Sequence, residues 1–452
     1  MGASLPSPNN NSSNVVQQQL GTTLKVITQV VCPQGFTCPS PSDFTMAVTG
    51  DNPTPSSFSG SLSGVAVSLG TGNYLVSETR APNTPSGLVL FPTRITSTPS
   101  CSGSINGGQT VTCTYANVYL QNRADAGDGL LNSWKVDGIP YMGIDGALHH
   151  YKLPNADPRH KNLYIEVDYM QKHIPALGVL GTVKKAFANA PVSNPDGTTL
   201  DDQIPLNATT SISSLDNIIK PTWFGNATER ADPNHVNLLA AKALAFHYAL
   251  FAKQQPEGSG SSGVADTPFP GMNFLVTLGA PGWPIDPTTG EPVGSLDQQT
   301  GTFMHELGHN FGLTHGGGND AINCKPNYLS IMNYLFQFPM FVANRPLDYS
   351  RSALPTLDKQ NLNESNGIGQ STPPGLTTIY GPVGIGVREG PLFATAGSPV
   401  DWNFNGKFND TDVKSDINAG LDNCGTPGPG GVNGVLNGRR LHTLFHYSKY
   451  SN

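Results

Sequence analysis

Residues 305–315 read HELGHNFGLTH, and no other stretch constrains the fold as much. His305 and His309 stand four apart, so on an α-helix their imidazoles leave one face a turn apart and can grip a single ion. A third ligand cannot come from that face, because three nitrogens around a tetrahedral ion must converge from different directions. Gly312 meets this need: a positive φ there ends the helix abruptly and lets His315 return from the side. SLDQQTGTFMHELGHNFG is therefore expected to be a helix that stops at a glycine. Three neutral imidazoles leave a fourth position for water, whose pKa zinc lowers to about 7. Glu306, next to the first ligand, can reach that water, accept its proton and pass it to the leaving amine of a peptide bond.

Only 13% of the residues are charged, while 51 Gly and 38 Pro stand in a chain of 452. A charged share well under the roughly 25% of ordinary proteins argues against a helix bundle, a coiled coil or a charged disordered tail. The net charge is −7 and no dense basic run occurs, so nucleic acid is not an expected partner. No stretch approaches the eighteen or so apolar residues of a membrane span. The length allows two to four domains and a sizeable core.

Residues 1–14 are polar and Pro/Asn/Ser-rich and read as a disordered leader. Residues 15–121 carry short runs of β-formers between Gly, Pro and Ser clusters, which predict a small antiparallel sandwich. Its runs are TLKVITQVV, DFTMAVTG, GVAVSLG, NYLVSET and TVTCTYANVYL. Residues 122–160 form a Gly/Asp-containing connector. From 161 onward NLYIEVDYM and GMNFLVTLG read as strands and GTVKKAFANAP as a helix. DPNHVNLLAAKALAFHYALFAKQQ reads as one long buried helix with Asp232 as N-cap. The expected fold class is multidomain: an N-terminal all-β sandwich, then an α/β (α+β) domain over 161–452 with an irregular C-terminal subdomain. The active-site cleft is expected between 161–315 and 316–452.

The motif HExxHxxGxxH followed by SIMNY at 330–334 resembles the metzincin metallopeptidases. Met332 lies seventeen residues after His315, and the resemblance implies that it forms an apolar floor beneath the zinc ligands. Tyr334 matches the tyrosine that approaches the metal or the reacting group in some branches; the alternative is a buried structural phenol. GTFMHELGHNFGLTHGGGN with INCKPNYLSIMNY is similar to a branch of prokaryotic secreted metzincins, strongly over 299–338 and loosely over 123–452. That branch has a DGDGLLDSWE-like segment where this chain has GDGLLNSWK. Asn132 and Lys135 replace carboxylates there, which leaves Asp125 and Asp128 short of a calcium loop's ligands.

SDFTMAVTG, NYLVSETRAP and the Cys-bracketed hairpin after Cys101 resemble the prealbumin-like (SpaA and Cna-B type) repeats of prokaryotic surface proteins. Many relatives join a strand Lys to an Asn beside a Glu. Glu78 and Asn117 match the last two, but Lys25 stands about three places early, an odd shift that turns it to the other face of its strand.

The segment 401–412, DWNFNGKFNDTD, has the spacing of a calcium loop. Asp401, Asn403, Asn405 and Asp412 take its side-chain positions, the Lys407 carbonyl and Asn409 the intermediate ones, and Gly406 the sharp turn. The competing reading is an Asx-rich turn that binds nothing. Six cysteines suggest three disulfides in an oxidising compartment: Cys32 with Cys38, Cys101 with Cys113 across a hairpin, and Cys324 with Cys424. Cys324 has a second reading, as an inhibitory thiolate directed at the zinc.

Together these features predict a secreted or cell-surface zinc endopeptidase acting on protein or peptide substrates. One catalytic Zn2+ and a structural Ca2+ are the expected cofactors, and the N-terminal domain is a candidate for surface association. The alternative is an adhesin or structural surface protein with a degenerate metal site. Glu306 argues against it, since a structural site needs no base.

Overall fold

The computed structural model describes residues 21–191, 194–195, 206–212, 223–255, 260–266, 271–317, 322–338, 347–351, 353–369, 377–380, 392–395, 397–415 and 417. The protein is mixed α+β, with several sheets and few helices. It divides into two compact units. One ends at Gln121 and takes in Pro140–His149; the other comprises Asn122–Ile139 and the chain from His150 onward. The expected leader, 1–14, lies outside the described residues.

The first unit contains β1 (Thr22–Val31), β2 (Thr45–Thr49), β3 (Ser57–Ser59), β4 (Val65–Leu69), β5 (Gly72–Arg80), β6 (Leu88–Leu90), β7 (Ser102–Ile105) and β8 (Thr110–Gln121). They form two four-stranded sheets, in the orders β4-β1-β8-β6 and β3-β2-β5-β7. Period-two alternation buries Leu24 and Val26 of β1 against Met46, Val48, Tyr74 and Val76 of the other sheet. The pairing is not wholly antiparallel as the sequence suggested, because β1 runs parallel to β8. A parallel pair needs a long crossover, and the strands between them supply it.

Cys101 and Cys113 form a disulfide, but they do not tie neighbouring strands of a hairpin. Cys101 ends the 3-10 turn Pro99–Cys101 that leads into β7, Cys113 lies on β8, and β7 and β8 belong to different sheets, so the bridge sits where the chain passes between the two sheets. Cys32 and Cys38 close a small loop as expected. Asn117 Nδ2 donates to Glu78 Oε2 at 3.0 Å, also between sheets. Lys25 is exposed on the outward face of β1, while Thr28 takes the inward position with its hydroxyl buried and without a hydrogen-bond partner.

The second unit begins with α1 (Asn132–Val136); β9 (Ile139–Met142) and β10 (Leu148–Tyr151) follow in the chain, at the two ends of the Pro140–His149 stretch that groups with the first unit. Lys135, whose side chain is fully buried, pairs with Asp128 and donates to the carbonyls of Asp157 and His160. Its ammonium thus sits among the oxygens of Asp128, Asp157 and His160 in the segment that contains Asp125 and Asp128.

Next come β11 (Tyr164–Met170), α2 (Val179–Ala188), β12 (Leu206–Ile212), α3 (Ala227–Ala231), α4 (His235–Lys242), β13 (Phe246–Phe251), β14 (Gly263–Ala265), β15 (Asn273–Val276) and α5 (Leu296–Asn310). The sheet order is β12-β11-β13-β15-β14, all parallel except the edge strand β14.

The expected long helix over 232–255 is instead α4 followed by β13. FHYALF is buried at all six positions, because β13 lies between β11 and β15. Ala249 and Phe251 face one core, with residues of α2 and α5, and Leu250 faces another beside Met170. A strand covered on both faces has no alternation, so its apolar run cannot be told from a buried helix by period. Asp232 is not the N-cap of α4. Asn234 is, and the Asp232 carboxylate accepts the Asn234 amide at 2.7 Å.

Farther along, α6 (Tyr334–Gln337) precedes the hairpin of β16 (Thr377–Tyr380) and β17 (Leu392–Thr395). A separate apolar cluster gathers around Trp402, with Leu354, Leu362, Ile368 and Val400.

Candidate metal centre

Helix α5 is well specified by its sequence. Ser295 caps it in a reciprocal box with Gln298, and Asp297 places a negative charge in the first turn. Every residue from Gln299 to Asn310 is buried, so the helix runs through the interior rather than along it. It ends as Gly312 predicts. Gly312 has φ +79°, its amide bonds the His309 carbonyl at 2.8 Å, and the Leu313 amide bonds the Gly308 carbonyl at 2.9 Å. This glycine-closed end turns the chain back toward the helix.

The turn brings His315 to His305 and His309. The ligand atoms of the three residues all lie within 4.8 Å of one another, and Nε2 of His309 is 3.1 Å from Nε2 of His315. His305 Nδ1 lies 2.9 Å from the Ile331 carbonyl and His309 Nδ1 lies 2.8 Å from the Leu313 carbonyl. A carbonyl only accepts, so each Nδ1 carries the proton and each Nε2 offers a lone pair to the centre. Burial and the neighbouring imidazoles hold His305 well below the usual histidine range. Burial likewise lowers His309 and His315 to about 4. All three are thus neutral near pH 7, the state a metal ligand requires. The donor set fits a borderline divalent ion with three imidazoles and an open position.

Glu306 is 5% exposed, and burial pushes its carboxyl up to about 8. It faces the sheet edge: a Cβ built on Gly263 would stand 2.7 Å from Glu306 Oε1. The Tyr334 ring lies 4.6 Å from that of His315 and 5.5 Å from that of His305. Burial, then the Glu306 charge, raises its phenol above the ordinary value.

Met332 is fully buried in the core cluster that contains Phe303 and Leu307 of α5. Its approach depends on Gly308, where any Cβ would overlap the Met332 sulfur and reach 2.8 Å from the Tyr349 ring. The turn around Met332 is pinned by Asn333, whose Nδ2 donates to the carbonyls of Lys325 and Tyr328 at 2.8 and 2.9 Å. Lys325 is buried and donates to the Gly316 carbonyl at 3.0 Å, beside the third histidine. Gly308, Gly263, Asn333 and Lys325 were not singled out by sequence reasoning, because none is itself chemically suggestive at its position.

Cys324 is disulfide-bonded, so it is not a free thiolate. Cys424 lies outside the described residues, and the expected pairing with it falls there too. In the loop at 401–412 the side-chain amides converge on Asp410. Asn403 and Asn405 donate their side-chain amides to Asp410 Oδ2 at 3.0 and 2.6 Å, whereas Asp412 is exposed and interacts with Thr411. Asp401 accepts the amides of Asn405 and Gly406 at 3.1 and 2.8 Å. The Lys407 amide bonds Asn405 Oδ1, and Asn409 is exposed. Buried Glu364 sets this arrangement, taking the amide of Trp402 on one oxygen and that of Asp410 on the other. Among the described residues, His305, His309 and His315 are the one cluster of His, Cys, Asp or Glu able to hold a metal.

No family model matches the chain, and no curated protein or solved structure matches it significantly. No helix among the described residues is long and apolar enough to cross a membrane.

Proposed function

We propose that the protein is a zinc-dependent endopeptidase of the metzincin type, secreted or at the cell surface, with a prealbumin-like domain ahead of the catalytic part. The observation that carries this reading is the convergence of three neutral imidazoles, two of them oriented by backbone carbonyls, beside the buried carboxyl of Glu306. His305, His309 and His315 would hold the ion. Bound zinc would supply Lewis acidity and lower the pKa of a water to about 7.

The protein's own groups account for the rest. Glu306 takes a proton from the attacking water and delivers it to the leaving amine. A carboxyl already raised by burial is a stronger base than an exposed one once it is ionised. Tyr334 lies beside His315 and can donate its phenol to the developing oxyanion. Edge strand β14, reached from Glu306 across Gly263, offers backbone groups to an extended peptide. The disulfides agree with an oxidising compartment.

The test is Glu306→Gln in zinc-loaded protein, assayed on a panel of unfolded proteins. Zinc should stay bound while hydrolysis falls by about 10²–10⁴. Wild-type-like cleavage by that variant would refute the mechanism, and an inactive wild type on every substrate would favour the adhesin reading.

A further inference from the structure

We infer that the Gln255 side chain occupies the peptide-pairing edge of β14 in the resting protein, and that an extended substrate must displace it to bind. This rests on the hydrolase reading above. β14 pairs antiparallel with β15, Gly263 opposite Val276 and Ala265 opposite Phe274. The Thr277 amide donates to the Ser262 carbonyl at 2.6 Å and the Asp266 amide to the Asn273 carbonyl at 3.0 Å. Residues 262 and 266 therefore turn these groups toward β15. By strand alternation Gly263 and Ala265 turn theirs away from β15, to the edge of β14 that pairs with no strand among the described residues.

Gly263 is also the residue that abuts Glu306. Its carbonyl therefore belongs to the edge residue that abuts the general base. That acceptor is already in use. Gln255 Nε2 donates to it at 2.7 Å and Ser261 Oγ at 3.0 Å, which accounts for both lone pairs. Gln255 Nε2 also stands 3.5 Å from Thr277 Oγ1, which itself donates to the Ser261 carbonyl at 2.9 Å. A primary amide N–H is the same kind of donor as a peptide N–H, so Gln255 makes the bond that a substrate backbone would make. Its presence also blunts an edge that would otherwise invite another strand. The consequence falls on binding rather than on the chemical step, because Gln255 competes for the edge and touches no reacting atom.

The test compares wild type with Gln255→Ala, both zinc-loaded and full-length. Gln255→Glu is a near-isosteric second variant that has no side-chain proton to donate at neutral pH. The probes are acetohydroxamate, a tripeptide hydroxamate, and the same tripeptide N-methylated at each backbone amide in turn. Acetohydroxamate should bind all forms alike. The tripeptide hydroxamate should bind both variants about 3–10-fold tighter than wild type, the size of one hydrogen bond. N-methylation at one position should abolish that gain, and for peptide substrates KM should fall with kcat unchanged. Equal or weaker tripeptide binding by both variants, or a gain that survives every N-methylation, would overturn the inference. Failure of acetohydroxamate to bind zinc-loaded wild type would overturn the hydrolase reading itself, and this inference with it.

Discussion

Gly308 lies directly over Met332, and the missing Cβ is what lets the sulfur sit against helix α5. A methyl group at 308 would overlap that sulfur and crowd the Tyr349 ring, whose hydroxyl donates to the Met304 carbonyl at 2.7 Å. Gly308→Ala should therefore be destabilising despite its better helix propensity. Overpacking of this kind costs about 1–3 kcal/mol, against roughly 1 kcal/mol gained from propensity. Denaturant unfolding measures the balance. A variant as stable as wild type would show that Met332 moves aside freely.

One zinc per chain is expected, lost in His309→Ala and retained in Glu306→Gln. Metal analysis of protein prepared without chelator checks the stoichiometry. Removal of the ion should lower the melting temperature, since a ligand that binds only the folded state stabilises it. Zinc content unchanged in His309→Ala would remove the three-histidine centre from consideration.

Gly263→Ala separates the base from the metal. The added Cβ would fall 2.7 Å from both Glu306 Oε1 and the Leu275 carbonyl, and the backbone atom cannot yield without distorting β14 and β15. Zinc content should be unchanged while hydrolysis drops by at least about tenfold, the usual cost of a misplaced catalytic group. Full activity in this variant would mean that Glu306 works from another position.

The helix and its three histidines were legible because a four-residue spacing and one glycine fix their geometry locally. What could not be read depends on contacts distant in sequence. FHYALF became a strand because β11 and β15 flank it, a tertiary fact with no periodic signature. Cys101 and Cys113 bracket what reads as a hairpin, yet the chain changes sheet between them. Gly308 and Gly263 look like filler until Met332 and Glu306 are placed beside them. The place of Asp410 at the centre of the 401–412 side-chain bonds rests on Glu364, far earlier in the chain, which accepts the Asp410 amide.

Glu78 should make the first unit more stable in acid. Burial raises its pKa, against the smaller opposing effect of the Asn117 hydrogen bond. For a carboxyl raised in the folded state, the stability contribution is full below the unfolded value of 4.5 and is lost as pH rises through the folded value. Glu78→Gln should therefore raise the melting temperature at pH 7 and flatten its dependence on pH above 4.5. Lys25 faces outward, so the intact mass should show no loss of ammonia from a Lys25–Asn117 link. A steeper pH dependence in Glu78→Gln would contradict this assignment.

Calcium binding at 401–412 should depend on Asp410 rather than on Asp412. Asn403 and Asn405 already point their side-chain amides at Asp410, so turning those amides, with loss of the bonds their oxygens accept from the Asn405 and Lys407 backbone N–H groups, would present two carbonyl oxygens beside its carboxylate. With few carboxylates the affinity should lie near the weak extracellular end of the range, about 10⁻⁴–10⁻³ M. Millimolar calcium would then add roughly 0.4–1.4 kcal/mol, a small rise in melting temperature. Asp410→Asn should abolish the rise and Asp412→Asn should leave it, with zinc content the same in both. A rise that survives Asp410→Asn would place the ion elsewhere. Absence of any rise in wild type would make the loop an Asx-rich turn closed by its own hydrogen bonds.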